Sequence, residues 1–212
     1  LGFTDPKIVQ KVFDQVHRLT QAKVFVSPDK VPTSTAVEEA LFVKGQTFMG
    51  SGWSNQFVAT AVAANRPLAM ISLPLGGTGK GLFDKPSMFF SVSADSQYKE
   101  EAVKFVDFFT NDIEANKILL AERGVPVSSK VREAIKPFVD EYTAATFDYI
   151  NQVDNIDKLT GPIDPPSPSG SAQVVQLMKD LYDQVAFGRI EPAAAAEQFM
   201  KQANEILAKS QQ

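Results

Sequence analysis

Phe48-Met49-Gly50-Ser51-Gly52-Trp53-Ser54-Asn55-Gln56-Phe57 contains the only tryptophan in the chain. Met49 closes a short apolar run, Gly50 and Gly52 break it, and an amphipathic stretch resumes at Asn55. The pattern predicts a short strand over 46–49 with Trp53 just beyond its end. A large aromatic among glycines, Ser51, Ser54 and Asn55 fits either of two roles. It can offer an indole face beside hydroxyl and amide donors, which suits a polar ring with apolar C–H faces such as a sugar. It can equally plug a core, since tryptophan is often mostly buried.

Working outward, Thr4-Asp5-Pro6 reads as a helix start with Thr4 or Asp5 as cap. Ile8, Val9, Val12, Phe13, Val16 and Leu19 then recur at helical spacing over 6–21. A second short helix is expected from Thr33 to Lys44, ended by Gly45. Further strands are expected over Leu68–Leu73, stopped by Pro74, and over Ser87–Ser93. Asp95 or Ser96 is expected to cap a helix whose apolar face is Ala102, Val103, Phe105, Val106 and Phe109, with Glu100 and Glu101 suited to its first-turn dipole. Helices follow over 113–122, from Ser128 or Ser129 to Ile135, and around Tyr142, Phe147 and Tyr149. The proline-rich stretch from Gly161 to Ser171 reads as a linker. Two strong helices close the sequence, one carrying Val174 to Val185 and one opening at Glu191-Pro192. Three strands are few for a self-contained α/β sheet, which typically has about five or six. Such a sheet is expected to borrow strands from elsewhere.

The 212 residues are 44% apolar and 22% charged with a net charge of −4, an ordinary globular composition with no basic block for nucleic acid. No run approaches the ~18 apolar residues of a membrane span. With no cysteine and one histidine, disulfides, thiolate sites and zinc are not expected, and no metal or cofactor is assigned. Leu1 is not an initiator methionine and no signal peptide is visible, so a processed chain or a piece of a longer one is expected. The glycine-rich Leu75 to Gly81 fails the phosphate-loop pattern, having Pro74 and Gly81 where Gly and Ser or Thr are required, and reads as a surface loop at the rim of a cleft. His17 has no nucleophile organised around it. Asp154, Asn155 and Asp157 lack the calcium-loop spacing. The 25 carboxylates leave a glycosidase-type pair open without singling one out.

Five passages together resemble the C-terminal half of the extracellular solute-binding proteins of sugar ABC importers, the maltose-binding-protein-like group. They are Phe3-Thr4-Asp5-Pro6 with its helix, FVKGQTFMGSGW (42–53), FFSVSADSQYKEEAVKFVDFFTN (89–111), GVPVSSKV (124–131) and LYDQVAFGRIEPAAAAEQFMKQANEIL (181–207). The resemblance implies an α/β fold of the periplasmic-binding-protein-like II type, two-lobed with a hinge, this chain being the C-terminal portion and mostly lobe two. It implies a lobe-two segment over 1–86, a segment crossing back to lobe one over 87–131, and a return to lobe two over 132–212. By the same resemblance the protein is not an enzyme. It captures a carbohydrate between the lobes and delivers it to the transmembrane subunits of an ABC permease, in the periplasm or as a lipoprotein on the outer face of the bacterial membrane. The implied partners are the sugar, the permease and the missing N-terminal lobe. Trp53 matches the family aromatic that stacks on the sugar, while Ser51 and Asn55 flank it by polarity. Ser87 and Met88 fall where many members carry Gly-Gly and an aromatic, and no second aromatic platform occurs near Ser169-Gly170-Ser171. These departures speak against maltose-like specificity. A glycan-acting enzyme and a non-catalytic interaction module remain the alternatives.

Overall fold

The computed structural model describes residues 1–73, 81–86, 88–156, 159–163 and 165–210, apart from the side chain at 156. The chain divides into two compact units, Leu1–Thr33 with Pro165–Gln212, and Ser34–Asp164.

The first unit is built on three helices, α1 (Lys7–Gln21), α7 (Ser171–Ala186) and α8 (Pro192–Lys209). The helical spacing of α1 becomes packing: Val9, Phe13 and Val16 are buried, whereas Ile8 and Val12 stay half exposed. They meet Leu181, Val185 and Ala186 of α7, and Ala195, Ala196, Phe199, Met200 and Ala203 of α8. The alanines of α8 let its backbone approach its neighbours closely, and Phe13 fills the space between. The Asp5 carboxylate accepts the Lys7 N–H at 2.9 Å, so the expected cap sits one residue ahead of the helix. His17 Nδ1 lies 3.3 Å from the Val185 carbonyl and joins α1 to α7. That is a structural role for the single histidine. Glu191 and Pro192 open α8, and Gly188 closes the preceding turn at φ +68°.

The second unit contains α2 (Phe57–Ala64), α3 (Lys99–Asn111), α4 (Ile113–Leu119), α5 (Ser129–Ile135) and α6 (Glu141–Asn151), with β1 (Leu82–Phe83) and β2 (Thr160–Gly161). Three of its helices have side-chain caps, but α3, which starts at Lys99, is not capped by Asp95 or Ser96 as expected, the Ser96 hydroxyl accepting the Tyr98 N–H instead. Asp112 accepts from Ala115 N–H, Ser128 from Val131 N–H, and Asp140 from Tyr142 and Thr143 N–H. Phe57 and Ala61 of α2 are buried, and Phe57 meets Tyr142 of α6 edge to face at 6.0 Å. Val131, Ile135 and Phe147 form a second small core. Asn116, buried between α3 and α4, donates to the carbonyls of Phe109 at 3.1 Å and Asp112 at 2.8 Å, which fixes the elbow between them.

The strands correct the sequence reading. Residues 46–49, 68–73 and 88–93 make no strand, and Ser87 lies outside the described residues. The helix expected over Thr33–Lys44 reduces to a single 3-10 turn, Val37–Glu39, and a further turn ended by Gly45 at φ +71°. The strands present are β1 and β2, a two-residue parallel pair in the register Leu82 to Thr160 and Phe83 to Gly161. The physical reason is the absence of ladder partners among the described residues: a segment with strand-like residues forms no sheet unless another backbone takes its N–H and C=O groups. Their side chains accordingly lie open, Phe48 being 94% and Phe89 79% exposed. α3 shows the same deficit, since none of its residues is buried and Phe105, on the expected core face, is 58% exposed.

Candidate functional site

Trp53 is not at the end of a strand. It is the residue before a 3-10 turn, Ser54–Gln56, that leads directly into α2. The Gln56 side chain accepts the Trp53 N–H at 3.0 Å, and the Trp53 carbonyl accepts the Gln56 N–H at 2.9 Å. The indole has no acceptor with which to complete a capping box, so its ring is free to point outward. It is 52% exposed.

The backbone before it is tightly constrained. A Cβ on Gly50 would stand 3.2 Å from Cβ and Cγ of Phe42, and one on Gly52 would stand 3.0 Å from Gln56 Oε1. A side chain at Gly50 would press on Phe42, while one at Gly52 would displace the flexible end of Gln56 that accepts the Trp53 N–H. Phe42 is held in turn by Arg66, whose guanidinium lies 5.3 Å from its ring centroid and donates to the carbonyls of Val43, at 2.8 Å, and Phe42. The Trp53 turn thus stands on a chain of contacts ending at Arg66, just past the end of α2.

Two residues meet the indole. Phe83 of β1 packs against it with centroids 5.6 Å apart and planes at 75°, and Lys85 Nζ lies 5.7 Å from the ring centroid, over its face. Phe83 is the last residue of β1, and Lys85 lies two residues beyond it. Their placement depends on β2. Leu82 N–H donates to the Leu159 carbonyl at 3.3 Å, and Leu159 N–H donates to the Val153 carbonyl at 2.8 Å. Val153 and Asp154 belong to a π turn, Gln152–Ile156, that continues α6. The site therefore lies just beyond the carboxyl end of β1, the usual position for ligands of parallel sheets.

Asp84 lies between the two residues that touch the indole. Although the residue is exposed as a whole, protein packed around its carboxyl raises the pKa above 3.8, the charge of Asp154 adds to the rise, and Arg132 opposes it. Asp154 Oδ1 is shielded from solvent and has no hydrogen-bond partner among the described residues. Arg132 also braces the Gly124-to-Val127 loop, donating to the carbonyls of Pro126 at 2.7 Å and Val127 at 2.9 Å.

Of the residues expected from sequence, Ser51 and Asn55 are exposed on either side of Trp53, and Met88 is exposed further along the chain. Ser87 and the glycine-rich segment 74–80 lie outside the described residues. Phe83, Asp84 and Lys85 were not anticipated. An aromatic followed by two opposite charges and a proline, directly after a glycine-rich loop, was the available signal. Among the described residues no group of three His, Cys, Asp or Glu side chains is placed to hold a metal ion. The arrangement is suited to binding: an aromatic plane with one cation over it.

Comparison with known proteins places the chain among solute receptors. Residues 3–146 match the family model described as bacterial extracellular solute-binding protein, and the chain belongs to that family. It is similar in structure to an extracellular solute-binding protein family 1 from Alicyclobacillus acidocaldarius subsp. acidocaldarius DSM 446, with a TM-score of 0.84 and 29% sequence identity over 96% of this chain. The match covers 52% of that solved chain, so this chain spans about half its length. The fold class is that of part of a two-lobed, periplasmic-binding-protein-like protein. Its place is outside the cytoplasm.

Proposed function

We propose that the chain is part of the substrate-binding component of an ABC importer, and that its solute is a carbohydrate stacked on Trp53 and handed to the permease. The observation that carries this reading is the half-exposed indole at the carboxyl end of β1, preset by Gly50, Gly52 and the Gln56 side chain. An indole face held in this way gives a pyranose an apolar surface without ordering cost on binding. Ser51 and Asn55, with Ser87 and Met88, supply the polar and apolar rim. The role is binding without catalysis.

We further propose that a preceding N-terminal lobe completes the cleft, closing on the ligand as hinged receptors do. The open side chains of Phe48, Phe89 and the α3 face favour this, as does the share of the solved relative that the chain covers. In this reading 1–86 and 132–212 belong chiefly to one lobe, and 87–131 crosses to the other. The protein works in the periplasm or from a lipid anchor.

The test is tryptophan fluorescence of the longest native form of the protein, titrated with mono- and oligosaccharides. A saturable change with one saccharide class, abolished by Trp53→Phe with the fold intact, is the expected result. A folded protein that answers to no saccharide overturns the carbohydrate reading. Turnover of a glycan, lost on Asp84→Asn, would favour the enzyme reading, for which the neighbouring Asp84 and Asp154 carboxylates are the specific observation.

A further inference from the structure

We propose that Lys85 selects ligands of the Trp53 site for a negatively charged group, so that the solute is an acidic saccharide and not a neutral one. This rests on the reading of Trp53 as the sugar platform and names the class of sugar it takes. Lys85 Nζ lies over the indole face, 5.7 Å from the centroid. Its own carboxylate neighbour does not neutralise it. The charges that act on Asp84 are those of Asp154 and Arg132. Lys44, Lys117 and Lys136 each form an ion pair with a carboxylate, whereas Lys85 forms none among the described residues. Its cation is left facing the position where the ligand is to lie.

A ring stacked on the face that Lys85 covers sits roughly 3.5–4 Å above it and competes for that face with the ammonium, 5.7 Å from the centroid. A neutral sugar therefore pushes the ammonium off the aromatic face and returns nothing to it except water. A sugar with an anionic group at its rim keeps the ammonium beside the indole and gives it a charge-assisted hydrogen bond, stronger than the cation–π contact it replaces. The shared chemistry is a pyranose bearing a carboxylate, sulfate or phosphate. Phe83, two residues before Lys85, holds the indole on its flank and limits how far the ring can turn to avoid the lysine.

The experiment is calorimetric titration of the longest native form, wild type against Lys85→Met and Lys85→Arg. The probes are pairs that differ only in charge: galactobiose with digalacturonate, glucose with glucose 6-phosphate, and a disaccharide with its sulfate ester. The expected result is that one acidic member binds roughly ten- to a hundredfold more tightly than its neutral partner, as a charged hydrogen bond allows. Lys85→Met abolishes that ratio, Lys85→Arg retains most of it, and neither shifts the melting temperature of the free protein. Which pair responds tells uronate from phosphate from sulfate. Neutral sugars that bind as well as their acidic partners, with Lys85→Met leaving the ratio unchanged, overturn the inference and leave the sugar platform standing. Absence of any Trp53-dependent binding in either set overturns the platform as well.

Discussion

Phe83 meets the indole of Trp53 edge to face, with centroids 5.6 Å apart, although all of α2 and the segment after it separate them in sequence. The contact makes the proposed ligand platform a tertiary feature. Trp53 is held from below by the turn into α2, and from the side by a strand whose register is set by β2. An indole fixed at two points presents one face in one orientation, which is what a stacking surface requires.

Removing the lateral support should loosen the platform without unfolding the unit. An aromatic edge-to-face pair is worth about 0.5–1.5 kcal/mol beyond its buried area, so Phe83→Ala should weaken saccharide binding by roughly two- to tenfold. The Trp53 emission should shift to the red as the ring gains water, with helix content unchanged by circular dichroism. Affinity and emission both equal to wild type would show that Phe83 does not orient the indole.

How much of this was legible in the sequence follows from how local each signal is. Helices α1, α7 and α8 were readable because their apolar spacing, the Pro192 start and the Gly188 stop are all local. Ser128 as the cap of α5 was readable for the same reason. Trp53 stood out by composition alone. The strands were misread because β-like residues at 68–73 and 88–93 need a partner to become a sheet, and a partner is a long-range fact. Conversely, β1 and β2 are two residues each, too short to leave any alternation. Phe83 and Lys85 were missed because their meaning depends on the β1–β2 register, which no local pattern encodes.

Asp84 and Asp140 should give stability profiles of opposite sign in pH. The Asp84 carboxyl is raised above 3.8 by burial first, then by Asp154, against Arg132. Below 3.8 both folded and unfolded chains hold the proton and nothing is lost. As pH rises from there to the folded-state value, the unfolded chain releases its proton first and stability falls, the full loss being present above. Asp84→Asn should therefore melt higher than wild type at neutral pH, with the gap closing in acid.

Burial alone would raise Asp140, but the Thr143 hydroxyl and the N–H groups of Thr143 and Tyr142 outweigh it and hold its carboxyl below 3.8. That stability is complete above 3.8 and is lost as pH falls through the folded-state value. Asp140→Ala should cost about 1 kcal/mol as a lost helix cap, narrowing in acid. Melting curves across pH check both variants, and differences that do not change with pH would contradict the two assignments.

Gly170 illustrates a backbone requirement in the first unit. Its φ is +86°, and a Cβ there would press on the Ser210 side chain at the end of α8, besides approaching Ile206 Cγ2 at 3.4 Å. Gly170→Ala should destabilise by about 1–2 kcal/mol, combining the left-handed backbone with the steric contact. Adding Ser210→Gly relieves the contact but not the dihedral, so the double variant should recover only part of the loss in denaturant melts. Full recovery would mean that the backbone conformation carries no cost, and no initial loss would mean that the turn rearranges freely.

The open face of α3 yields the sharpest test of the proposed missing lobe. Phe105 is exposed in this chain and touches chiefly Phe109, at 6.2 Å between centroids, while Phe109 meets Phe90 at 4.9 Å. An aromatic cluster on a helix without a buried residue is a surface awaiting cover. If another lobe of the same protein covers it, Phe105→Asp places an unpaired charge in a packed interface of the longest native form and should cost about 3 kcal/mol or more there. In the 212-residue chain alone the same substitution should hardly move the melting temperature and should reduce self-association, because the charge lies in water. Light scattering and thermal melts of the two lengths, each with and without the substitution, separate the cases. An equal effect in both lengths would mean that α3 stays uncovered, and the strand-like segments 68–73 and 88–93 would then need a partner from outside the protein.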